Sequence, residues 1–262
     1  MTEHLEMNSN KRESTIVKLS PPIPLNMAES WHEIASIEHF WIIRRFQILQ
    51  KVFAPLLMPD IVCCDIGCGQ GLLQLQLYRH CAICADGIDL DEDVLKNHLG
   101  PGTLYLYNIL DRAPELKEKY QTLFLFDVLE HVSEPDTFLD ACSYLLQPYG
   151  HIILNVPASQ RLYSAYDKAA GHLRRYSIDD LRIAVSKVGL QDVSHTYWGF
   201  PYVPLLLLRK FLHRNGSKED IIKRGFDVQN KYMNRIFLIL GQLEYIPQQF
   251  FGSSIMMAAR KV

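Results

Sequence analysis

The stretch Val62-Cys63-Cys64-Asp65-Ile66-Gly67-Cys68-Gly69-Gln70-Gly71 constrains this chain most, because it runs a buried strand into a sharp turn and a helix start. Gly67, Gly69 and Gly71 can adopt backbone angles that other residues avoid, and they let the main chain approach a ligand closely. The GLLQLQLYRH that follows reads as a helix whose free N–H groups face that ligand. A dinucleotide-binding loop carries glycine at its first, third and sixth positions, but the sixth here is Leu72, so the pattern is Asp-x-Gly-x-Gly-x-Gly. The spacing therefore argues against a nicotinamide dehydrogenase.

Three further strand ends follow the same logic. The apolar run Ala82 to Ile88 ends in Asp89-Leu90-Asp91, about twenty residues after the glycine loop, where a carboxylate can grip a ribose diol. Asp89 is the better candidate, since Asp91 is placed to cap a helix starting near Glu92. A third strand, Thr103 to Leu110, ends at Asn108-Ile109-Leu110-Asp111, and a fourth, Thr122 to Leu129, runs into Asp127-Val128-Leu129-Glu130-His131. Open α/β sheets bind ligands at such carboxyl ends.

A chain of 262 residues, 48% hydrophobic and 21% charged, can bury the core of one α/β domain with elaborations. Its formal net charge of −2 offers no global field for a nucleic-acid backbone, so no nucleic-acid partner is expected. Cys63, Cys64 and Cys68 crowd one strand and its loop, where neighbours point to opposite faces, which fits a reducing cytoplasm better than a disulfide framework. Residues 1 to 20 are polar and mixed in charge, so no secretion signal is read there. Cys81-Ala-Ile-Cys84 has zinc-like spacing but no second cysteine pair beside it.

Residues 1–26 read as a mobile leader ending in Pro21-Pro22-Ile23-Pro24, and 27–262 as a single domain. Within it, 27–58 is a helical cap with aromatics at Trp31, Phe40, Trp41 and Phe46. Over 59–198, apolar runs alternate with helical patterns at 70–80, 91–99, 114–120 and 134–147, the rhythm of a parallel sheet covered on both faces. A helical insertion or lid, 199–250, precedes a final strand within 251–262.

Taken together, these motifs resemble the UbiE/UbiG-like group of class I S-adenosylmethionine-dependent methyltransferases. Glu38-His39-Phe40-Trp41 with Arg44 and Arg45, Asp127-x-x-Glu130-His131, and Asp167-x-x-x-Gly171-His172-x-Arg174-Arg175-Tyr176 extend the resemblance. It implies a Rossmann-like, doubly wound sheet of seven strands, mostly parallel with an antiparallel last strand. It also implies S-adenosylmethionine as donor and transfer of a methyl group to oxygen or carbon of an aromatic, lipid or glycan acceptor.

On that resemblance Asp65 orients the loop and the methionine ammonium, Gly67 and Cys68 line the methionine portion with Gly69 and Gly71 shaping the loop, and Asp89 with Leu90 holds the ribose. Asn108 and Ile109 flank adenine, with Asn108 standing where an aspartate is usual and Asp111 nearby as its alternative. Asp127 and Val128 sit beneath the reacting methyl, unless Asp127 is a solvent-facing cap. His172 and His131 are candidate bases, His131 having a loop-bonding role as its alternative. Tyr166, Arg174, Arg175 and Tyr176 are candidate acceptor contacts, and the arginines can clamp a carboxylate or phosphate or instead form salt bridges. No metal is expected. The secondary reading is magnesium on Asp127, Glu130 and His131, by resemblance to some ubiquinone-pathway O-methyltransferases.

The segment 198–214 joins Leu205 to Leu208 with Arg209 and Lys210, and is too short to span a bilayer but suited to lie on one. Packing of the same leucines as a lid is the alternative. The expected protein is thus cytoplasmic, peripheral on the membrane if 198–214 lies on a bilayer, and methylates a hydrophobic or lipid-linked small molecule such as a quinol, on oxygen before carbon. A sugar or polyketide-like acceptor, or a non-catalytic regulator that only binds S-adenosylmethionine, are its rivals.

Overall fold

The computed structural model describes residues 16–23, 36–212, 221 and 230–262. Trp31, most of the leader and the middle of the insertion lie outside the described residues.

One sheet organises the chain, in the order β1-β4-β3-β2-β5-β6-β8-β7. Its strands are β1 Ile16–Lys18, β2 Cys63–Ile66, β3 Asp86–Asp89, β4 Leu104–Leu106, β5 Tyr120–Phe126, β6 Leu146–Pro157, β7 Leu190–Trp198 and β8 Ser254–Lys261. From β1 to β6 every pairing is parallel, whereas β8 runs antiparallel between β6 and β7. The Rossmann-like architecture with a reversed last strand is therefore present, with eight strands in place of seven. The additional strand comes from the segment read as leader: Ile16, Val17 and Lys18 pair with Leu104, Tyr105 and Leu106. Ile16 packs on the cluster of Leu95, Leu104 and Leu106, and burial of that contact holds a three-residue strand that has no pattern of its own.

Helices cover both faces. Helix α1, Phe40–Phe53, and helix α2, Leu72–Cys81, supply Phe46, Leu49, Leu73 and Leu77 to a core shared with Phe124, Phe126 and Met256. Helices α4, Pro135–Leu145, and α6, Ile178–Lys187, bury Leu139, Leu145, Leu181 and Val185 against Leu123, Leu125 and Ile152. β5 thus sends alternate residues to two buried faces, which explains its unbroken apolar run. Asp91 caps α3, Glu92–Lys96, by accepting from the Asp93 and Val94 N–H groups. The helical pattern at 114–120 is not a helix: Pro114–Leu116 makes one 3₁₀ turn, Glu118 takes a positive φ of 50°, and Tyr120 already opens β5.

Further helices are α5, Ala165–Ala170, α7, Val203–Leu212, and α8, Lys231–Gln242. α8 closes the insertion onto the amino-terminal cap. Asn234 accepts from the Phe40 N–H at 2.7 Å and donates to the Glu38 carbonyl at 2.8 Å, and the Phe237 and Phe40 rings lie 4.9 Å apart. Among the described residues, no helix is long and apolar enough to cross a membrane.

Candidate active site

A cavity of about 500 Å³ opens at the carboxyl ends of the central strands. Gly67, Gly69, Asp89, Leu90, Asn108, Ile109, Asp127 and Val128 line one half of it, and Glu130, His131, Tyr166, His172 and Arg175 the other. Trp41 of α1 and Leu206 and Arg209 of α7 also line it.

The glycine loop is tied to the end of β3. The N–H groups of Gly67 and Cys68 both donate to the Ile88 carbonyl, at 2.8 and 3.1 Å, so neither is directed at a ligand. Gly67 has φ +70°, and a Cβ there would press on Val128. Asp89 sits below the loop and accepts from the N–H groups of Gly69, Leu90 and Asp91 at 2.9, 2.7 and 3.0 Å. A carboxylate offers about four acceptor sites, so these bonds leave room for one ribose hydroxyl, not the paired grip on a diol. Burial raises the Asp89 pKa, and the three backbone N–H bonds oppose the rise. Asn108 accepts from the Leu110 N–H at 3.2 Å, and its own N–H donates to Ser20, which ties the strand end to the segment after β1. Asp111 is exposed and accepts from the Ser20 hydroxyl at 2.5 Å.

Asp65, Cys68 and Gly71 do not line the cavity. Asp65 is buried at the end of β2, and burial pushes its pKa up to about 7 against the pull of Arg45. Asp127 is not a helix cap. It takes φ +59°, pairs through Oδ2 with Arg45 at 2.5 Å, and accepts through Oδ1 from Asn155 at 2.6 Å. Asn155 in turn accepts from the Trp198 indole at 2.9 Å, so a polar chain links α1, β5, β6 and β7 below the cavity.

In the other half, His172 Nδ1 lies 3.0 Å from Asp167 Oδ1. Asp167 is fully buried and would be raised by burial, but the His172 hydrogen bond and the Arg175 guanidinium hold it at about 2. It is therefore a carboxylate at neutral pH, and the His172 Nδ1–H donates to it, so in the neutral ring Nε2 is the nitrogen that can accept a proton. That Nε2 is 3.9 Å from Glu130 Oε1. Glu130 is 1% exposed and, among the described residues, has no hydrogen-bond partner on either carboxyl oxygen, and burial, with Asp127 nearby, drives its pKa well up. His131 faces His172 edge-on at 4.9 Å and touches the Gly171 carbonyl through Nδ1 at 3.3 Å. Burial and the neighbouring His172 push it down to about 4.

Both predicted clamp arginines are engaged within the protein, although Arg175 also lines the cavity. Arg175 donates to Asp167 and to the Ala158 and Ser253 carbonyls, and Arg174 to the Ser133 carbonyl. Tyr176 is buried with its hydroxyl donating to the Leu129 carbonyl, whereas Tyr166 does reach the cavity. Arg209 also lines the cavity, its guanidinium 4.0 Å from the Tyr166 ring centroid. The role of Asp167 was not assigned from sequence, although its spacing of five from His172 across Gly171, at φ +79°, is the signal that brings the two together.

For a metal, Glu130, His131 and His172 each offer a ligand atom, all within 4.8 Å of one another. Asp127, engaged by Arg45 and Asn155, is not among them. One carboxylate with two imidazoles lacks the oxygen-rich shell that magnesium takes, so this set does not fit magnesium.

A methyltransferase-domain model matches residues 38–195, more than half of the chain. The chain belongs to this methyltransferase family. The methyltransferase is 31% identical over 108 residues to a ubiquinone biosynthesis O-methyltransferase of Coxiella burnetii, a match covering 39% of this chain and 45% of that protein. The match thus spans less than half the length of that relative. Its fold is that of S-adenosylmethionine-dependent methyltransferases. One from Archaeoglobus fulgidus superposes with a TM-score of 0.56 at 17% identity, covering 88% of this chain and 97% of that one. A Haemonchus contortus phosphoethanolamine N-methyltransferase 2, in complex with phosphomonomethylethanolamine and S-adenosylhomocysteine, gives 0.57 at 18% identity, covering 88% and 56%.

Proposed function

We propose that this methyltransferase moves a methyl group from S-adenosylmethionine to a hydroxyl oxygen of a hydrophobic, quinol-like small molecule, with His172 as general base. The observation that carries the reading is the Asp167–His172 pair at 3.0 Å, in which His172 lines the same cavity as the glycine loop and Asp89.

Methyl transfer from a sulfonium is an in-line displacement, so the protein chiefly aligns the nucleophile with the methyl carbon and sulfur. S-adenosylmethionine supplies the electrophilic methyl. Asp89 and the loop it braces would hold the donor's ribose, Asn108 and Ile109 its adenine, and the Asp127–Val128 turn the floor under the methyl. The acceptor's O–H proton passes to His172 Nε2 as the oxygen–carbon bond forms and the carbon–sulfur bond breaks. Asp167 stabilises the resulting imidazolium, and Glu130 lies beside it. The low pKa of His131 and its contact with the Gly171 carbonyl give that residue the positioning role. The likeness to ubiquinone biosynthesis O-methyltransferases supports oxygen as the accepting atom and a quinol-like ring as its carrier.

Formation of S-adenosylhomocysteine with a hydroquinone or catechol acceptor tests the reading. His172→Ala should lose about 10²-fold to 10⁴-fold in turnover while keeping its affinity for S-adenosylhomocysteine. Turnover unchanged in that variant would remove His172 as the base.

A further inference from the structure

Helices α7 and α8 are apolar on the side that faces away from the protein as well as on the side that packs. In α8, Asn234, Phe237 and Gly241 turn inward onto Phe40 and Tyr202. On the opposite side, at helical spacing, Tyr232, Ile236, Ile239 and Leu243 are each more than half exposed. In α7, Leu206 and Arg209 face the cavity while Leu208 and Phe211 are exposed. Both helices meet at the turn Phe200–Tyr202, where the Tyr202 hydroxyl donates to the Phe237 carbonyl at 2.8 Å. Monomeric proteins scatter exposed hydrophobes singly, so a concentration like this marks a surface that something covers.

Charge identifies the occupant. α7 and α8 together contain four basic residues and no acidic one, in a chain of formal net charge −2. Arg209 and Lys210, the pair expected from sequence to face lipid, are directed elsewhere: Arg209 lies over Tyr166, and Lys210 donates to the Arg161 carbonyl at 2.8 Å. Lys231 and Arg235 are the exposed cations, on the same helix as Tyr232 and Ile236. Two copies meeting through this face would bring like charges together, whereas an anionic headgroup layer is complementary to it. Ten and twelve residues are too short to span a bilayer but suit helices that lie in its interface.

We infer that the outward faces of α7 and α8 form a docking surface for an anionic lipid bilayer, with Lys231 and Arg235 against phosphates and the exposed leucine, isoleucine and aromatic side chains at the acyl boundary. Because α7 also walls the cavity, docking sets the acceptor pocket beside the bilayer. That consequence rests on the proposed methyltransferase reaction, but the docking itself does not.

Sedimentation of the full chain with phosphatidylcholine vesicles, with and without phosphatidylglycerol, tests the inference. The chain should bind the anionic vesicles preferentially at low salt and be released as salt rises. Lys231→Gln with Arg235→Gln should weaken that binding by about 20-fold, and Ile236→Asp or Ile239→Asp by about tenfold or more, all with unchanged melting and S-adenosylhomocysteine affinity. Three outcomes would overturn it: no binding to anionic vesicles at low salt, equal binding by wild type and variants, or a wild-type dimer that Ile236→Asp converts to monomer without vesicle binding in either form. Vesicle binding by a chain that proves inactive as a methyltransferase would leave the docking surface standing and remove only the proposed reaction.

Discussion

His131 and His172 face each other across 4.9 Å, and their partners give them opposite duties. His172 has a buried carboxylate behind it, whereas His131 is cut off from solvent beside a second histidine, and these two effects outweigh the opposing Gly171 carbonyl and lower its pKa from 6.5 to about 4. Between those two values the unfolded chain protonates at this position and the folded chain does not. The unfolded state then binds more protons, so the native state loses stability as pH falls from about 6.5 to about 4. The loss from this one group is up to about 3 kcal/mol. His131→Gln removes it, so urea denaturation from pH 7 to pH 4 should show the variant gaining on the wild type by that order. Parallel profiles would mean that His131 is not held neutral.

At the scale of elements, the loop before α2 depends on a backbone conformation that side chains rarely adopt. Gly71 has φ +75° at the helix start, and a Cβ there would run into the His98 ring, which Gln74 holds at 2.7 Å. Gly71→Ala should cost about 1–2 kcal/mol from the left-handed angle alone, with the displaced His98 adding to it. Thermal melts give the stability loss, and titration with S-adenosylhomocysteine should show weakened binding because the loop that Asp89 braces shifts. A stable variant with normal affinity would show that α2 tolerates a different entry. This loop was legible in the sequence because glycine spacing is a local signal, and so were β5 and the cap at Asp91. β1 was not, since Ile16-Val-Lys carries no period and gains its strand only by pairing with β4. The segment 114–120 has helical composition, but Arg112 and Glu118 at positive φ break it on both sides. The Asp167–His172 pair escaped for a related reason, because residues five apart meet only when Gly171 reverses the chain.

Across the whole molecule, the cavity gathers parts of the chain that are remote in sequence: Trp41 from the cap, Asp89 and Asn108 from the core, and Leu206 and Arg209 from the insertion. A ligand seated there contacts a surface that exists only when all three have assembled, so it binds the folded state and not the unfolded one. Such a ligand stabilises by about 2.7 kcal/mol at one hundred times its Kd, which for a domain of this size raises Tm by about 5–10 °C. S-adenosylhomocysteine and S-adenosylmethionine should both produce that shift. NAD should not, because Leu72 stands where a dinucleotide loop carries its third glycine. Asp89→Ala should shrink the shift by weakening donor binding about 1–3 kcal/mol, since a buried ribose hydroxyl loses a charged partner and the Gly69 N–H loses its acceptor. A shift with NAD equal to that with S-adenosylhomocysteine, or one unaffected by Asp89→Ala, would place the nucleotide elsewhere and undo the assignment of the glycine loop as the donor site.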